Sequence, residues 1–233
     1  AAVASRELDL PVSASNLGDA LLRAEAFGGC ARAARSAVLV HCSTILGASH
    51  VKDDHLLVGA RFRAGQIGHY PVRATRLVCS CGQSNCLNCL ASGWSILCRL
   101  KQVAAPVYQL RDIERYSALT RALVRGEIDE PVRIKRLLAN AGAALAHGLR
   151  LLDLSLDPEL IVLSGPLSTL ERYVAGVHRG LRDAGPAGAD ILRKLTRGTI
   201  PTGQAAGVTA LLDTVFSPVL DFARLGGAVP ETA

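Results

Sequence analysis

The run CSCGQSNCLNC, residues 79–89, holds four of the chain's seven cysteines. The cysteine count is odd. The first ten residues, AAVASRELDL, reach Arg6 and Glu7 before any long apolar stretch forms, which is not the pattern of a signal peptide. Together these argue against a disulfide framework and for a reducing compartment, where clustered thiols point to metal. His69 lies ten residues before Cys79, Cys81 two after it, and Cys86 five further on. One imidazole and three thiolates complete a tetrahedral shell. Soft sulfur donors in four-fold geometry select zinc over magnesium or calcium, and a closed shell leaves no position for a reactive water. The expected metal is a structural zinc held by His69, Cys79, Cys81 and Cys86. Gly82 suits the tight turn between ligands. Cys89, which forms a C-x-x-C with Cys86, is an alternative ligand, whereas Cys30, Cys42 and Cys98 read as buried thiols.

The remainder of the chain is globular in composition. Of 233 residues, 49% are apolar and 20% charged, enough for one large domain or two small ones. The longest uncharged run, Leu77 to Cys98, is too rich in Ser, Gly, Asn, Gln and Cys to span a membrane. A soluble, cytoplasmic protein is expected. The net charge of +6 comes mainly from arginines scattered in ones and twos (Arg32 and Arg35, Arg61 and Arg63, Arg73 and Arg76), and aromatics are only 4%. Such spacing predicts a solvated basic surface, not a nucleic-acid face. The absence of any methionine suggests a fragment or a trimmed chain.

Residues 10–16 (LPVSASN) read as a short strand and turn. A 3.6-residue period predicts a helix from Leu17 to Phe27, stopped by Gly28-Gly29. The apolar run Ala37 to Cys42 predicts a buried strand. Gly47 to Val51 and His55 to Val58 read as strands joined through Lys52-Asp53-Asp54. Helices are expected over Leu87–Val103, Asp112–Arg125, Pro131–Leu152, Thr169–Ala184 and Ala205–Phe216. Further strands are expected at Pro158–Leu163 and Leu195–Ile200. Strands followed by helices, with β-α-β-α order at the end, indicate an α/β domain.

The segments GARFRAGQIGH (59–69) and CSCGQSNCLNCLASG (79–93) resemble the signature of the ROK family, which groups bacterial sugar kinases with sugar-responsive repressors. The resemblance extends to LPVSASN, to LLDLSLDPELIVLSGPLS (151–168) and to GQAAGVTALL (203–212), nearly the whole chain. It implies an α/β fold of the actin/hexokinase (ribonuclease H-like) ATPase type: two lobes with ligands in the cleft between. Residues 1–15 would end the first lobe and 16–233 form the second, with the zinc loop at 66–90. The first lobe's glycine loop for ATP is absent, so most of that lobe, and a helix-turn-helix domain if the parent is a repressor, would lie outside this sequence.

The same resemblance implies sugar contacts at Asn16, Gln66, His69 and Asn88. It also implies a lost kinase centre. The family's catalytic Asp falls on Leu17, which cannot take a proton from a hydroxyl. Asp19, two residues on, could serve only in a shifted register. Two sugar-binding Glu positions are Gln66 and Asn88, which keep hydrogen-bonding capacity without charge. The glycine-rich phosphate loop is Ser43-Thr44-Ile45-Leu46-Gly47-Ala48-Ser49 here, and the Gly-Gly after IVL is Ser164-Gly165. Capping of the helix at Leu17 is an equal reading of Asn16, and a polar rim without a ligand is the alternative reading of Gln66 and Asn88. The expected function is the sugar- or sugar-phosphate-sensing and oligomerising part of a ROK-type transcriptional regulator without phosphoryl transfer, with DNA bound only through an N-terminal domain. The competing readings are a ROK-type sugar kinase and a degenerate pseudokinase.

Overall fold

The structure is a computed structural model that describes residues 2–9, 12, 15–102, 108–128 and 131–212. In chain order its elements are α1 (Ala2–Leu8), α2 (Leu17–Gly28), β1 (Ser36–Cys42), β2 (Leu46–Lys52), β3 (His55–Leu56), α3 (Asn88–Ala91) and α4 (Gly93–Arg99). Then follow α5 (Ile113–Arg125), α6 (Pro131–Leu156), β4 (Leu160–Ser164), α7 (Glu171–Asp183), α8 (Pro186–Lys194), β5 (Leu195–Arg197) and α9 (Thr202–Leu211).

The strands form one mixed sheet in the order β3-β2-β1-β4-β5. The hairpin partners β1, β2 and β3 pair antiparallel, whereas β4 pairs parallel with both β1 and β5. Helices cover both faces, which is why β1 reads as an unbroken apolar run. Val38, Val40 and Cys42 point into a core built with α6 and α7. Ala37 and Leu39 point the other way, against Leu21 and Leu22 of α2 and Ala205 of α9. Strand β4 alternates likewise, with Ile161 and Leu163 on the first face and Val162 on the second. A third cluster, of Cys79, Cys86, Cys89, Trp94, Tyr108 and Tyr116, sits under the cysteine loop. No helix among the described residues is long and apolar enough to cross a membrane.

Several expected elements differ in extent. Most of LPVSASN lies outside the described residues, as does the end of the helix expected at 205–216. The first turn of α9 begins at Thr202, after Pro201. Helix α6 runs four residues beyond Leu152. The helices α1 and α8 were not anticipated; α8 starts at Pro186 and is short. The expected helix 87–103 is two helices, broken at Ser92. Ser92 takes an extended conformation, and its Oγ accepts from Ser95 N. The freed N–H groups of Gly93 and Trp94 donate to the carbonyls of Ser43 and Thr44 at 2.9 and 3.0 Å. The break therefore anchors the β1–β2 loop, a tertiary use that overrides helical periodicity.

Candidate functional site: a cysteine cluster beside a carboxylate-free cleft

The carboxyl ends of β1, β4 and β5 lie along one side of the sheet, where α/β folds place ligands. Two cavities open there. One, of about 370 Å³, is lined by Asn16, Leu17, His41, Gln66, His69 and Asn88 among others. The second, of about 660 Å³, is lined by Arg121, Ser164, Gly165, Thr199 and neighbours. They share Leu17, His41, Ser43 and Ser117. All four candidate sugar contacts thus border one cavity.

Each has a local reason to be there. Asn16 caps α2: its Oδ1 accepts from Gly18 N at 2.9 Å. Capping and cavity lining coexist in this side chain. Gln66 precedes a short 3₁₀ turn, Ile67–His69, and its side chain makes no hydrogen bond among the described residues. Gly65 lets that turn approach β2. Its φ is +76°, and a Cβ there would sit 1.8 Å from the carbonyl oxygen of Ala48. Asn88 is buried; its Oδ1 accepts from Leu46 N at 2.9 Å, and its Nδ2 points at Cys79 Sγ at 3.9 Å. It joins β2 to the cysteine cluster, so it is a structural tie more than a rim residue.

His69, Cys79, Cys81 and Cys86 converge with their donor atoms all within 4.8 Å of one another. His69 Nδ1 lies 3.4 Å from Cys79 Sγ, and Cys81 Sγ lies 3.4 Å from Cys86 Sγ. A tetrahedral ion with bonds of about 2.0–2.3 Å requires donor separations of about 3.5–3.8 Å. This group could therefore hold a metal after small adjustments. Cys89 stands outside the group and is fully buried. Its thiol hydrogen-bonds Cys79, whose own thiol is pulled down to about 4, chiefly by that bond. Cys86 is pushed up by burial, then by Cys81 and the Cys79 charge, and Cys89 by its bond to Cys79 and by burial. The thiols thus pull one another in opposite directions, and a dication is what would let three ligand thiols deprotonate together.

The sequence reading passed over His41, at the end of β1. Its ring borders both cavities, and its Nδ1 is buried without a hydrogen-bond partner. Burial holds the imidazole below its ordinary value. The available signal was a single polar side chain at the carboxyl end of an apolar strand, AVLVHC. Also unforeseen was the bracing of the β1–β2 loop by α5: Thr44 Oγ1 lies 3.2 Å from Thr120 Oγ1 and 3.4 Å from Ser117 Oγ. No residue from 43 to 49 has positive φ. The backbone of this loop therefore suits the β-branched and serine residues it carries, not a glycine cradle.

Among the described residues, no Asp or Glu lines either cavity. Leu17, 45% exposed, sits at the mouth of both. Asp19 is on the same helix but lines neither. Among the described residues, the one buried carboxylate nearby, Glu25, is committed to structure. It accepts from Cys30 N (2.9 Å), Thr199 N (2.5 Å), Thr199 Oγ1 (2.8 Å) and Ile200 N (2.7 Å). It thereby binds α2 to the β5–α9 loop, two walls of the cleft.

The fold is similar to that of a solved ROK family transcriptional regulator described as a homologue of E. coli MLC. The two superpose with a TM-score of 0.67 at 21% identity, over 90% of this chain and 55% of that one. This defines the class as the hexokinase/actin-like α/β fold of the ROK proteins. Residues 2–184 match the ROK family profile, and the chain belongs to that family. Among curated relatives, it is 30% identical over 149 residues to the DNA-binding transcriptional repressor Mlc of Escherichia coli K12, covering 62% of this chain and 36% of that protein. It is 28% identical over 146 residues to the N-acetylmannosamine kinase of Haemophilus influenzae Rd, covering 63% and 45%. The chain therefore matches less than half the length of each of these curated relatives.

Proposed function

We propose that this chain is the effector-binding and oligomerisation part of a ROK-type transcriptional regulator that senses a sugar or sugar phosphate and transfers no phosphoryl group. The observation that carries the reading is that no carboxylate among the described residues lines the cleft, with Leu17 at its mouth where the family resemblance puts the catalytic base. A hydroxyl attacking a phosphoryl group needs a proton acceptor within hydrogen-bonding reach. The cleft offers carboxamides, hydroxyls and His41 instead. Those groups can bind a polyhydroxylated ligand, but the amides and hydroxyls cannot act as bases near neutral pH.

In this reading Asn16, Gln66 and Asn88 contact or orient the sugar. His69 presents one nitrogen to a structural zinc and the other to the ligand, with Cys79, Cys81 and Cys86 as the remaining zinc ligands. The donor set fits zinc, which would supply rigidity to the 66–90 loop and no chemistry. Residues 1–15 belong to the end of one lobe and the rest to the other. DNA binding belongs to an N-terminal domain, and the protein works in the cytoplasm as a homo-oligomer.

The second reading is a sugar kinase, favoured by the similarity to N-acetylmannosamine kinases. It requires a base from Asp19 or from outside this chain. Calorimetric titration of the intact protein with hexoses, N-acetylhexosamines and their 6-phosphates tests the first reading. One of them should bind with a 1:1 stoichiometry, and Gln66→Ala should weaken it. If none binds to metal-loaded protein, the sensing role fails.

A further inference from the structure

Three arginines and a histidine far apart in sequence come together on the side of the core formed by α6 and α7. Arg73 follows the Pro71–Cys86 bridge of the cysteine segment. Arg150 and His147 lie one turn apart on α6, and Arg179 is on α7. These four side chains line one concavity of about 560 Å³, whose interior is kept open by Ala143, Ala144 and Gly180. Arg99 lies behind it, close enough that Arg73, after burial, holds its guanidinium below the ordinary value. Its Nη1 is buried without a hydrogen-bond partner.

The positive charge here is not balanced by the protein. Among the described residues, the sole acidic side chain lining the concavity is Asp183, and no ion pair involves it, Arg73, Arg150 or Arg179. Arg179 is steadied by Ala139 O and Asn140 Oδ1, both 3.2 Å away and both uncharged. Three like charges gathered around one carboxylate leave a net positive field, and the repulsion is relieved by an anion. Guanidinium forks match phosphoryl oxygens in geometry as well as charge. The volume lies in the range of small-ligand pockets. Small residues beneath an arginine rim make a recess that a flat acidic protein surface would not enter.

We propose that this concavity is a binding site for a small phosphorylated polyanion, separate from the cleft. Arg73, Arg150 and Arg179 contact its phosphoryl groups, and His147 adds a hydrogen bond. This proposal is independent of the sugar-sensing reading.

Inorganic pyrophosphate is the probe. Equilibrium dialysis and thermal-shift measurements on the metal-loaded protein at low and moderate salt should give one site per chain. Arg73→Glu and Arg150→Glu together should weaken it at least tenfold, with metal content and far-ultraviolet circular dichroism unchanged. Arg150→Ala alone provides a milder variant, expected to weaken it severalfold. Arg121→Ala, on the far cleft, should leave pyrophosphate binding intact. Binding lost in Arg121→Ala but kept in the double variant would overturn the proposal, placing the anion in the cleft. No pyrophosphate binding, alone or alongside binding of a DNA duplex or an acidic peptide at the same arginines, would also overturn it.

Discussion

Replacing Glu25 by glutamine should destabilise the protein without touching any ligand. The carboxylate is 1% exposed and accepts four hydrogen bonds, three of them from backbone N–H groups. Hydrogen bonds to a charged group contribute about 1.5–3 kcal/mol each, and a buried donor left unmatched costs about 1–3 kcal/mol. In glutamine one oxygen becomes an NH₂. If the remaining oxygen keeps Thr199 N and Ile200 N, the NH₂ faces Cys30 N, donor against donor, while the Thr199 hydroxyl can turn to accept. Relief of the buried charge offsets part of the loss. The net expectation is about 1–3 kcal/mol of destabilisation at neutral pH, and about 3–5 kcal/mol for Glu25→Ala, which strands three N–H groups. The pH dependence supplies a second signature. Burial raises the Glu25 pKa, but the hydrogen bonds from Ile200, Cys30 and Thr199 outweigh it and hold the group below its ordinary 4.5. A depressed carboxylate contributes stability that is fully present above the unfolded-state value and lost as pH falls through the folded one. Urea denaturation of both proteins at several pH values should therefore show the gap narrowing below pH 4.5. A Glu25→Gln variant within 0.5 kcal/mol of the parent at pH 7, or a gap that widens on acidification, would refute this account of the buried carboxylate.

Three further outcomes follow from the same structure. Chelation of the metal, or Cys86→Ala, should expose the 66–90 loop, lower the melting temperature by several degrees and shift the emission of Trp94, which packs in the cluster with Cys79 and Cys86. Gly65→Val should cost more than about 3 kcal/mol, because a branched side chain is strained at positive φ and its Cβ would overlap the Ala48 carbonyl; fluorescence-monitored unfolding measures it. His41, held neutral by burial, should add stability that is present above its unfolded pKa and lost as pH falls below it; His41→Asn should flatten that part of the stability–pH curve.

The convergence of His69, Cys79, Cys81 and Cys86 was legible because such clusters are marked by residue type and short spacing, both visible in one dimension. Buried strands β1 and β4 were legible for a similar reason: burial on both faces leaves a continuous apolar run. Ser92 was not, since its break serves the carbonyls of Ser43 and Thr44, some fifty residues earlier in the chain. Nor were the roles of Asn88, which holds β2 from the next segment, and Glu25, three of whose four donors lie at the other end of the chain. The arginine recess was hidden for the same reason: Arg73, Arg150 and Arg179 look scattered until the crossing of α6 and α7 brings them together.

The measurement that bears most directly on the central claim is ADP release by the metal-loaded intact protein with Mg²⁺-ATP and a panel of hexoses and N-acetylhexosamines, run beside calorimetric binding of the same compounds. A cleft with no carboxylate base among the described residues predicts binding of at least one sugar or sugar phosphate and no sugar-dependent ADP release. Sugar-dependent turnover that disappears in Asp19→Asn would contradict it, showing that a carboxylate outside the cavity in this structure reaches the reacting hydroxyl.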